Sequence, residues 1–131
     1  MSLATDAPEI QLISPLVGLS ENTRFELSPL DDDGILFSMR SVDDPGLRLV
    51  LADPMPFYPD YEPVIDGEMA KALDLDSEED AAVLTVVHLG ENIEDSTVNL
   101  FAPLVVNHKS HRAAQTVLTG MDLPMRAPLV R

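Results

Sequence analysis

The chain has 131 residues, 23 acidic against 8 basic side chains, a net charge of −15, an apolar fraction of 45% and no cysteine. That length fits one domain over residues 1–131, and the lack of cysteine excludes disulfides, thiolate nucleophiles and cysteine-based metal centres. A chain this acidic repels nucleic-acid phosphates, so direct nucleic-acid binding is not expected, whereas a basic protein partner is.

In chain order, Glu9 to Ile13 reads as a short strand, and Arg24 to Leu27 alternates between polar and apolar residues. Asp31-Asp32-Asp33-Gly34 is a turn, because aspartate favours turns and glycine accepts positive φ. Ile35 to Arg40 and Leu47 to Ala52 follow as a hairpin joined by the Asp43-Asp44-Pro45-Gly46 turn. A short helix is expected over Gly67 to Leu73, with Asp66 as its cap and Met69, Ala70 and Leu73 on one side. A weak capping pattern, Ser-Glu-Glu-Asp, opens a possible second turn at Ser77. Ala82 to Leu89 is valine-rich and reads as a central strand. Thr97 to Phe101, Leu104 to Asn107 and Ala113 to Leu118 complete the set, with Pro103 breaking the first pair because proline donates no ladder bond. Many short strands and one short helix predict an all-β, mainly antiparallel, barrel-like domain. Residues 119–131 carry two prolines and no period, and read either as a tail or as a segment docked on the barrel.

Charge is uneven along the chain. Residues 1–100 hold 4 basic and 22 acidic residues, and residues 101–131 hold 4 basic and 1 acidic. No apolar run approaches the ~20 residues that span a bilayer, and the N-terminus shows no basic-then-apolar leader pattern. A cytoplasmic protein with no membrane association is expected.

Catalytic patterns are missing from the sequence. It contains no Gly-x-Gly-x-x-Gly, P-loop or Gly-x-Ser-x-Gly. His108 and His111 stand at metal-ligand spacing, but Lys109 and Arg112 flank them and oppose a cation, so the segment reads as a solvated turn whose positive charge could join an interface. His88 falls near the end of an apolar strand and reads as a neutral rim histidine. The acids of Asp31–Asp33 and of Asp74, Asp76, Glu78 and Asp80 lack the glycine and glutamate that a calcium loop needs at positions 6 and 12. No metal, no cofactor and no enzymatic activity are expected.

The stretch ADPMPFYPDYEP, Ala52 to Pro63, holds four of the eleven prolines and both tyrosines. The prolines hold it extended and stiff, which lowers the entropy lost on binding. Phe57, Tyr58 and Tyr61 either pack down over an open barrel end or face outward as interface anchors, with Asp53, Asp60 and Glu62 around them. Both readings stand on the residues alone.

Ser41-Val42-Asp43-Asp44-Pro45, Ala52-Asp53-Pro54 and Phe57-Tyr58-Pro59-Asp60-Tyr61-Glu62-Pro63 resemble segments of the flagellar assembly factor FliW family. Asn99-Leu100-Phe101-Ala102-Pro103-Leu104-Val105-Val106-Asn107 is similar to the family's Asn-Leu-x-Ala-Pro-x-Val-x-Asn run, and Arg112 and Gln115 fall where the family tends to carry Arg and Gln. The order and spacing of these motifs cover roughly Ile13 to Leu118. Val17-Gly18-Leu19 departs from the family's Gly-Phe element, and the ring is missing there. The resemblance implies a small β-barrel without catalysis that binds flagellin and CsrA, a basic homodimer that represses translation. It implies that CsrA is antagonised from beside its RNA-binding surface. A β-barrel binding module or export chaperone for another protein is the alternative. Asp53, Phe57, Tyr58, Asp60, Tyr61 and Glu62 are the candidate contacts, and Asn99, Pro103 and Asn107 are assigned to backbone geometry.

Overall fold

A computed structural model describes residues 9–13, 23–44, 46–65, 67–77, 80–118 and 120–129. Among them β1 (Glu9–Leu12), β2 (Arg24–Pro29), β3 (Leu36–Ser41) and β4 (Arg48–Ala52) pair in succession, each antiparallel to the last. After helix α1 (Gly67–Ala72), β5 (Ala81–His88) pairs antiparallel with β4, and β7 (Leu104–Asn107) pairs with β5 and then with β8 (Arg112–Gln115). β8 returns to β1 in parallel, Gln11 beside Arg112 and Leu12 beside Ala113. These pairings close a seven-stranded barrel with a single parallel seam. β6 (Thr97–Val98) extends the sheet beyond β5, and β9 (Ala127–Pro128) pairs with β6.

Strand alternation sorts the apolar residues into an inside and an outside. Ile10, Leu12, Phe25, Met39, Leu51, Leu84, Leu104, Val106 and Ala113 form the interior, with Leu27, Phe37, Leu49, Ala82 and Val86 against them. Fully burying one such aliphatic or aromatic side chain contributes about 1.5–3 kcal/mol. Residues of opposite parity face outward, and two apolar covers protect them. On one flank Val50, Ala52, Val83 and Val87 lie under Phe57, Tyr58, Tyr61, Leu100 and Leu129. On the other, Val105 and Ala114 lie under Leu73, Met69 and Ile65 around α1.

Elements that differ from the sequence expectation do so for local reasons. The strand expected over Thr97 to Phe101 stops after Val98, before Pro103. Asn99 Oδ1 accepts the amides of Phe101 at 2.9 Å and Ala102 at 3.0 Å, which turns the chain out of the ladder. Six residue steps from Val98 to Leu104 therefore span only three steps of β5, from Val87 to Leu84. β8 ends at Gln115 rather than Leu118, because Thr116 and Leu118 donate to Pro103 and Phe101 in that outward turn. Gly34 takes φ 73 in the acidic turn. The expected cap Asp66, the acids Glu78 and Glu79 of the second turn, Pro45, and the Val17-Gly18-Leu19 departure lie outside the described residues. Of the two readings of the C-terminal residues, docking describes residues 120–129, where Leu129 is only 2% exposed.

Candidate partner-binding surface

β4 delivers the proline-rich stretch at Ala52. Asp53 donates its amide to the carbonyl of Ile35 at 2.8 Å, while its Oδ1 accepts the Met55 amide at 3.0 Å. Pro54 is fully buried, and its carbonyl accepts from Phe57 and Tyr58 at 3.1 and 2.7 Å. The segment is thus a compact turn rather than an extended strap. Its rings rest on the outer wall of β4 and β5 and not over a barrel end. The cap expected at the barrel mouth is corrected accordingly: the positions they meet, Val50, Ala52, Val83 and Val87, have the parity opposite to the interior.

The candidate contacts separate. Tyr61 is 7% exposed and its hydroxyl donates to the carbonyl of Leu100 at 2.7 Å. Burial pushes its pKa up to about 12. Both its ring and its hydroxyl are used inside the chain, so Tyr61 is withdrawn as an outward anchor. Phe57 and Tyr58 are half-buried in the same cover, and the Tyr58 hydroxyl donates to the carbonyl of Pro128. Asp60 and Glu62 are exposed and Asp53 is half-exposed. Among the described residues none of these three carboxylates has an ion-pair partner. The outward surface of the stretch therefore combines carboxylates with exposed Met55, Pro56 and Pro59 and the partly exposed rings of Phe57 and Tyr58.

Asn99 and Asn107 act on the backbone. Asn107 is 2% exposed; its Nδ2 donates to the carbonyls of Leu73 at 2.7 Å and Asp74 at 3.3 Å, and its Oδ1 accepts the amides of Lys109 and Ser110. It satisfies carbonyls that the end of α1 leaves without partners. Pro103 is fully buried in the outward turn, and Gln115 Nε2 donates to the carbonyl of Ala102 at 3.2 Å.

The basic C-terminal region is not a free basic patch. Lys109 pairs with Asp80 at 2.9 Å and Arg112 with Asp74 at 3.1 Å. The hydrogen bond from Lys109 holds the Asp80 carboxyl below its ordinary range, and Asp80 in turn raises the Lys109 ammonium. His88, His108 and His111 are exposed, and among the described residues no group of three potential ligands could hold a metal ion. Sequence reasoning missed Leu100, Pro128 and Leu129 as the partners of the tyrosine turn. A two-residue strand containing proline gives no periodic signal.

Comparison with known proteins matches residues 3–129 to the family described as FliW protein. The flagellar assembly factor FliW of Bacillus subtilis (strain 168) is 33% identical over 116 residues, 88% of this chain and 81% of that protein. The protein of the same name from Oceanobacillus iheyensis is 33% identical over 109 residues, 83% of this chain and 74% of that one. A crystal structure of the flagellar assembly factor FliW superposes with a TM-score of 0.86 at 25% identity, covering 100% of this chain and 90% of the other.

Proposed function

This chain belongs to the FliW family, and from that premise we propose that it is a non-catalytic flagellar assembly factor that binds flagellin and the translational regulator CsrA. Capture of CsrA antagonises its repression of flagellin messenger RNA, and flagellin competes for the same protein, which makes a partner switch. Family membership across the whole barrel carries this reading. The net charge of −15 supports it, because a strongly acidic surface speeds encounter with a basic homodimer. Asp53, Asp60 and Glu62, with the exposed edges of Phe57 and Tyr58, are the contacts we assign.

Titration calorimetry of the purified protein against purified CsrA, at two salt concentrations and with flagellin as competitor, tests the switch. The expected result is salt-weakened binding that flagellin reverses. Binding to flagellin without binding to CsrA would leave a flagellin chaperone. Binding to neither would overturn the reading.

A further inference from the structure

One length of β5 has a sheet neighbour on only one side. The amide of His108 donates to the carbonyl of Asp80, and the amide of Asn99 donates to that of Val86. Alternation along an antiparallel ladder then turns the backbone groups of Ala82 and Leu84 toward β7, and those of Ala81 and Val83 toward the opposite edge. β4 occupies that edge only at Thr85 to Val87, paired with Ala52 to Val50. Run on, the same register sets Pro54 opposite Val83 and Pro56 opposite Ala81. Neither proline has an N–H to give. The Pro54 carbonyl is already taken by Phe57 and Tyr58. Among the described residues no turn, loop or side-chain hydrogen bond reaches the outward amides and carbonyls of Ala81 and Val83, which are half-exposed and open to water.

The edge is bordered on both sides by grooves. One, about 690 Å³, is lined by Ile65, Ala70, Leu75, Ala81 and Val83, with Glu62 and Asp76 at its rim. The other, about 390 Å³, reaches Phe37, Ala82 and Leu84 and carries Asp53. Among the described residues no Lys, Arg or His lines either groove. Ala81, Ala82 and Val83 are half-exposed, unlike Leu84 and Thr85 beyond them. Open ladder groups between two largely apolar grooves are what strand addition uses: backbone bonds give affinity, and alternate side chains enter opposite grooves.

We propose that the edge at Ala81–Val83 takes an extended segment of a protein partner as an added strand, apolar at alternate positions and flanked by Lys or Arg. The acidic rim selects those flanks. This deepens the binding reading above without depending on which partner supplies the segment.

Amide exchange and chemical shifts of the full chain test it, with acetyl-Lys-Val-Thr-Val-Lys-amide as the probe at millimolar concentration. In the free protein the Ala81 and Val83 amides should exchange about 100-fold faster than those of Ala82 and Leu84. The probe should protect both, whereas a probe N-methylated at alternate residues or flanked by Glu should not. Val83→Pro removes the outward N–H, and with it the Val83 side chain's packing, but no N–H that faces β7; it should weaken probe binding at least fivefold while the β7 ladder stays protected. Three results would overturn the proposal: slow exchange of Ala81 and Val83 in the free protein, equal protection by the N-methylated probe, or protection that rises with protein concentration alone, which would seat a second copy on the edge. If CsrA or flagellin binds but the probe protects neither amide, strand addition fails and the binding reading stands.

Discussion

The two covered flanks of the barrel are held by different forces. The flank over β4, β5 and β6 is sealed by rings and aliphatic side chains, and its polar links are tyrosine hydroxyls on the carbonyls of Leu100 and Pro128. The flank over β7 and β8 is sealed by a six-residue helix, a buried asparagine and two carboxylate pairs, Asp80 with Lys109 and Asp74 with Arg112. A helix that short does not form alone. Its position depends on Asn107, on buried Leu73 and on ionised acids nearby. The first flank should therefore resist acid and salt, and the second should not.

The comparison can be broken most forcefully through the apolar flank. Leu129→Ala empties a fully enclosed site, and should cost about 3 kcal/mol in urea unfolding. Amide protection of α1 should survive it, and loss of that protection would mean that the flanks are one unit. Asn107→Ala attacks the other flank. It strands two carbonyls and two amides at a buried position, and should cost about 2 kcal/mol. In the double variant the two costs should add within about 0.5 kcal/mol if the flanks are independent.

Tyr61→Phe is smaller, about 1 kcal/mol at neutral pH for one buried hydrogen bond. It also sharpens the pH contrast. The Tyr61 pKa is raised from 10.0 to about 12 on folding, so the native protein loses stability as pH rises from 10 through 12, and the variant should lose less over that window. Asp80→Asn should have the smallest cost of the four, present at neutral pH and fading in acid. The Asp80 pKa is lowered on folding. Its contribution is present above the ordinary carboxylate value and disappears as pH falls through the lowered one, so the variant's acid limb should be flatter. An unchanged acid limb would remove the distinction between the flanks.

Much of this architecture was legible from local patterns. Val-rich β5 and the β3–β4 hairpin follow from alternation and turn residues, and so does the short helix. The facing of the rings was not legible. Tyr58 and Tyr61 are the same residue type three positions apart in one proline-rich stretch. Tyr61 faces inward because its hydroxyl meets the carbonyl of Leu100, 39 positions away. β9 was hidden for a related reason: its pairing with β6 is set by tertiary contact, and two residues cannot carry a period. The role of Asn99 was visible in its motif, yet the early end of β6 was not, because aspartate-like side-chain capture of a backbone amide competes locally with the ladder.

The parallel seam has a consequence for biosynthesis. It joins Gln11 to Arg112, 101 positions apart (112 less 11). The ribosome must therefore deliver nearly the whole chain before the ring can shut, and the first strands wait with one side unpaired. Contacts of such long sequence separation slow folding, and a waiting strand edge is prone to wrong pairing. The chain's heavy negative charge keeps such unfinished copies apart by mutual repulsion, so the same acids that favour a basic partner also protect the nascent protein from itself.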